Sequence, residues 1–135
     1  MKKIRIVIAI LLVLIAGWFM LKTVYSPENA VRTMIDNIAN GTQNNVQMKP
    51  EQIELIRSYF EFAAKNNLHS PEISVKQVEG TGDHIQLIAE FLMIDYEEDN
   101  RIRKVYAGNL LFTLQKSSFY QFDVINVEEK MKLSL

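Results

Sequence analysis

Residues 73–91 read ISVKQVEGTGDHIQLIAEF. Branched and apolar residues alternate with polar ones, stop at a turn of glycine, threonine and aspartate, and begin again. Such a pattern predicts a β-hairpin. Ile73 and Val75 open the first strand, which runs to about Glu79, and Gly80-Thr81-Gly82-Asp83 is the turn. The second strand extends from His84 to Tyr96. Its latter half, IAEFLMI at 88–94, is apolar on both faces, which predicts a central strand covered on both sides.

Downstream the same period continues. The acidic run Glu97-Glu98-Asp99-Asn100 predicts a turn, and Arg101 to Gln115 a third strand, with Ile102, Tyr106, Leu110, Phe112 and Leu114 in alternate register. Gly108 lies within that strand, where glycine marks a bulge or a bend. Lys116-Ser117-Ser118 predicts the next turn and Phe119 to Glu129 a fourth strand. Phe119, Ile125 and Val127 are expected on one of its faces, with Tyr120, Phe122 and Val124 on the other.

Upstream of residue 73 the period is helical. Ser26-Pro27-Glu28 supplies a cap, a first-turn proline and a carboxylate at the positive end of the helix dipole. Ala30, Val31, Met34, Ile35 and Ile38 then form one stripe, and Asn40-Gly41 ends the helix. A second helix is predicted from Pro50 to about Lys65. Ile53, Ile56, Phe60 and Ala63 or Ala64 face inward, while Leu55, Tyr59 and Phe62 widen the apolar arc. Gly41 to Lys49 between the helices is polar and amide-rich.

The beginning of the chain differs from everything else. Ile6 to Leu21, IVIAILLVLIAGWFML, is an unbroken apolar run of sixteen residues, flanked by Lys2, Lys3 and Arg5 before it and Lys22 after it. As a helix it spans about 24 Å, close to a hydrocarbon core of roughly 30 Å once its ends snorkel. Residues 1–25 are therefore expected to be a signal-anchor, with the basic end cytoplasmic and residues 26–135 outside the cell membrane. The alternative is a cleaved signal peptide. Cleavage after Ala16 would put Leu14 at the third position back, and cleavage after Ser26 would face Pro27. A lipoprotein is excluded, because there is no cysteine to acylate. Pilin-type processing would need a glycine before the apolar run and a glutamate just inside it, and neither is present.

All sixteen acidic residues fall after residue 25, against eleven basic ones, so that part carries a formal charge of −5. An acidic surface argues against nucleic acid as a partner. The absence of cysteine removes disulfides, zinc thiolate sites and cysteine nucleophiles. No phosphate-binding glycine loop, nucleophile elbow or metal-spaced histidine pair is found. Asp95-x-Glu97-x-Asp99 begins like a calcium loop, yet Tyr106 stands where an EF-hand requires glutamate.

The fold expected is thus α+β: a transmembrane helix, then two helices on a bent four-stranded antiparallel meander. Three segments carry a family likeness: SPENAVRTMIDNIANG at 26–41, ISVKQVEGTGDHIQLIAEF at 73–91, and YAGNLLFTLQKSSFYQFDVINVE at 106–128. Together they resemble the nuclear transport factor two-like superfamily, whose cystatin-like domain is a cone of helices and sheet. The resemblance covers roughly residues 26–130. Enzymes of that fold, isomerases and dehydratases among them, line the cone with Asp, Tyr and His, which would make Tyr59, His69, His84, Asp95, Tyr106 and Asp123 the groups to inspect. Fuller members carry an extra hairpin between their early helices. Gly41–Lys49 is too short for one, so the resemblance implies a shallow cone or none. A single-pass anchor with a small outer cone also resembles the assembly subunits of type IV secretion and conjugation machines.

These readings converge on a non-catalytic, membrane-anchored module outside the cell that binds other envelope proteins or itself. No cofactor, metal or catalytic residue is assigned. Ile88, Leu92, Ile94 and Leu111 are the expected interface; the alternative is a small-ligand binder or an isomerase- or dehydratase-like enzyme using the cone interior, which a pocket converging on Tyr106 or Asp123 would mark.

Overall fold

The computed structural model describes residues 2–42, 48–118 and 121–134. It contains α1 (Lys2–Val24), α2 (Pro27–Ala39), α3 (Pro50–Lys65), β1 (Glu72–Thr81), β2 (His84–Tyr96), β3 (Ile102–Ser118) and β4 (Gln121–Ser134). The strands form one antiparallel sheet in the order β1-β2-β3-β4. The α+β class, the two helices after residue 26 and the meander all agree with the sequence reading.

The local signals act as their chemistry dictates. Ser26 caps α2, its hydroxyl accepting from the Asn29 amide at 3.2 Å, with Pro27 at the first helical position. At α3 the Gln52 side chain accepts the Lys49 amide at 3.2 Å, one half of a capping box. The first hairpin closes through only two residues, Gly82 and Asp83, because Thr81 already pairs with His84. Gly82 sits at φ +61, where a side chain would be strained. Asn100 takes φ 63 in the next turn, and Arg101 there bridges Glu97 at 3.0 Å and Asp99 at 2.5 Å.

Both helices lie on one face of the sheet. From α2 come Val31, Ile35 and Ile38, and from α3 Ile56, Tyr59 and Ala63. They meet Leu87, Ala89, Phe91 and Met93 of β2, Tyr106, Leu110, Phe112 and Leu114 of β3, and Val124 and Val127 of β4. Tyr59 is the centre of this core, not its flank as the helical stripe suggested. Its ring stacks on Phe91 with centroids 4.3 Å apart, while Phe60 and Ile53 are only partly buried.

Three expectations for the sheet need correction. The second half of β2 is covered once, not twice: Ile88, Leu92 and Ile94 lie on a face that neither α2 nor α3 reaches. Lys116–Ser118 continues β3 instead of turning, and β4 runs five residues beyond Glu129. Val127 also changes face. Leu114 pairs with Val124 while Thr113 pairs with Asn126, so Ile125 is an extra, bulged residue. One inserted residue reverses the alternation after it, placing Val127 beside Val124 in the core. The faces expected for Phe119 and Tyr120, and the middle of the 41–49 connection, lie outside the described residues.

α1 stands apart. Every described side chain on it is exposed, its large apolar residues from 47% at Ile15 to 73% at Met20. Among the described residues no single helix is long and apolar enough to cross a membrane; Ile6–Lys22 together with Pro27–Ala39, bent by 50°, passes as a pair. That pair is not a credible span. α2 buries Val31, Ile35 and Ile38 in the domain core and carries Glu28, Arg32 and Asp36, which bars it from lipid.

Candidate functional site

Among the described residues, large side chains occupy the space between helices and sheet, where a cone-shaped enzyme would hold its substrate. Tyr59, Phe91, Phe112, Ile35 and Leu110 are all fully buried there. The Tyr59 hydroxyl faces Glu129 Oε1 and the Met131 carbonyl, each at 3.4 Å, long for O–H···O bonds. Burial, then the negative charge of Glu129 and its hydrogen bond, push this phenol up from 10.0 to about 12. Because the folded state holds the proton more tightly, Tyr59 contributes stability that is complete below pH 10 and lost as pH rises towards 12. Denaturant titrations at pH 9 and pH 11.5 should show a smaller alkaline loss for Tyr59→Phe than for the unaltered chain.

Tyr106 and Asp123 do not converge. Tyr106 packs on the helix side, edge-on to Phe62 at 5.1 Å, with Lys104 Nζ 5.2 Å from its ring centre. Asp123 pairs with Gln115, itself opposite His84, at the far end of the sheet and on the other face. His69 and His84 are exposed. The carboxylates of the calcium-like run are held by arginines instead: Asp95 lies 3.6 Å from Arg103, and Glu97 and Asp99 are bridged by Arg101. Lys22 is exposed near the end of α1, and the side chains of Lys2, Lys3 and Arg5 lie outside those described.

The helix-free face is where chemistry remains open. Its cross-strand rows follow from the register: Lys76, Ile88, Leu111 and Glu128; then Ser74, Glu90, Asn109 and Met131; then Glu72, Leu92 and Ala107. Ile88, Leu92, Ile94 and Leu111 are half-buried by their neighbours alone, and Val105 and Ile125 are exposed. Small residues at Ser74 and Ala107 leave a depression of about 320 Å³ between Leu92 and Met131, with Glu72, Glu90 and Asn109 on its lining. Asn109 Oδ1 is buried there without a hydrogen-bond partner. Such an acceptor costs roughly 1–3 kcal/mol while unpaired.

Of the expected interface residues, Leu92 lines this depression and Ile88 lies one row away. Glu72, Ser74, Glu90 and Asn109 were not singled out from the sequence. One signal was available: asparagine is depleted in strands, and here it shares a strand face with Ala107, whose small side chain fills little space. No family model, curated protein or solved structure matches this chain.

Proposed function

We propose that the protein is a non-catalytic, single-pass membrane-anchored module. α1 lies in the bilayer with its basic end cytoplasmic, and residues 26–135 present the helix-free face of the sheet to another envelope protein. The observations that carry this reading are the exposed apolar residues of Ile6–Leu21, 47% to 73% accessible where they are large, and the half-buried Ile88–Leu92–Ile94–Leu111 face, which takes no part in the core. Isolated exposed apolar residues are ordinary, but contiguous ones mark membrane or protein contacts. The large side chains buried between helices and sheet among the described residues favour a binding surface over an enclosed active site. The likeness to cone-shaped assembly subunits points the same way, by analogy of fold.

Photo-crosslinking tests the reading. A benzophenone amino acid replaces Ile88 or Leu111 in the full chain, in its native membrane, and Arg32 on the outer side of α2 serves as the control position. Discrete adducts of defined mass are expected from the two sheet positions and not from Arg32. Absence of adducts at both sheet positions, or equal adducts at all three, would remove the interaction role.

A further inference from the structure

We propose that the depression between Leu92 and Met131 is a socket for one cationic side chain, an arginine or lysine, of the partner polypeptide. This rests on the interaction reading above and names the chemistry of what docks. The lining offers two carboxylates, Glu72 and Glu90, with Ser74 and Asn109 as polar neighbours, and it contains no cation. Leu92, Ala107 and Met131 supply apolar contact for an aliphatic stem. A volume of about 320 Å³ is at the lower limit for small-molecule sites and suits a single side chain better than a cofactor. A metal ion fits poorly: among the described residues no group of three or more His, Cys, Asp or Glu could hold one.

The charge distribution selects the same occupant. Residues 26–135 carry a formal charge of −5, so the domain as a whole attracts a basic partner. At the rim, Lys76 Nζ lies 3.6 Å from Glu90 Oε2, with both side chains largely exposed. A solvent-exposed pair of that length is weak, and an incoming guanidinium can replace it. Arginine gains more than lysine, because its planar fork can grip a carboxylate through two parallel hydrogen bonds.

The test uses the full-length chain in lipid nanodiscs, observed by NMR at the side-chain amide of Asn109, with N-acetyl-arginine amide as probe. N-acetyl-citrulline amide, its neutral isostere, is the control. The arginine probe is expected to shift the Asn109 signals saturably and the citrulline probe to bind at least fivefold more weakly. Glu90→Gln and Glu72→Gln should each weaken arginine binding at least threefold. Lys76→Met, which removes the competing cation, should strengthen it about twofold. Equal binding of both probes, no saturable shift, or insensitivity to the two glutamate variants each overturns the socket. The crosslinking above separates the two ideas. If Ile88 and Leu111 adducts form and persist in Glu72→Gln/Glu90→Gln, the interaction role stands and the cationic socket falls. If the probe binds as expected but no adduct forms, the socket stands and the role falls.

Discussion

Gly108→Ala is expected to lower the stability of the domain by about 3 kcal/mol, although it adds a single methyl group. A Cβ at this position would meet Tyr59 Cε1 at 2.7 Å, the Tyr59 hydroxyl oxygen at 2.9 Å and the Met131 carbonyl oxygen at 3.2 Å. The ring cannot withdraw, since it is fully buried and stacked on Phe91 behind it. Nor can the strand easily retreat. Gly108 pairs with Phe91 on one side and falls in the register irregularity between Ala107 and Asn109 on the other. Overpacking of this kind costs about 1–3 kcal/mol and occasionally more, and the upper end applies where both neighbours are held. For a domain of this size the melting temperature should fall by roughly 10–20 °C. A double-mutant cycle isolates the cause. In a Tyr59→Leu background, Gly108→Ala should cost less than about 1 kcal/mol, because the ring is gone. Equal cost in both backgrounds would mean that the backbone of the bulge, and not the tyrosine, requires glycine.

The second large effect concerns location. If α1 anchors the chain as proposed, Leu12→Arg/Val13→Arg should release it from the carbonate-resistant membrane fraction while leaving the folded domain intact. The nine Leu, Ile, Val and Phe residues that the variant keeps in Ile6–Leu21 favour insertion by about 3–5 kcal/mol in total on a translocon scale, and two central arginines oppose it by about 5–7 kcal/mol. Insertion therefore loses. Leu12 and Val13 are 61% and 71% exposed, and neither is part of the core of the domain, so its thermal unfolding should not change. Retention of the double variant in carbonate-washed membranes would show that something other than α1 holds the protein there. A fall in domain stability would show that α1 packs on the domain after all.

Much of the architecture was legible along the chain because its causes are local. Ser26-Pro27-Glu28 starts α2 by capping, Gly82 closes the first hairpin by its positive φ, and period-two alternation yields the four strands in meander order. The apolar character of Ile6–Leu21, its basic flanks and the −5 charge of the remainder are likewise properties of the residues themselves.

What the sequence could not determine are relations between residues distant along it. The bulge at Ile125 moves Val127 into the core, and nothing in VINVE announces that extra residue, because a bulge is a property of two strands paired together. Tyr59 looked peripheral on its own helix, yet Gly108, forty-nine positions later, leaves the space that makes it the centre. The apolar second face of β2 reads in sequence like a strand buried twice. Only the tertiary structure decides that both helices choose the same face, leaving Ile88, Leu92 and Leu111 open beside Glu90 and an unpaired Asn109. Hydrophobicity says that a surface is to be covered; the packing of the chain decides whether the chain covers it itself or leaves that to a partner.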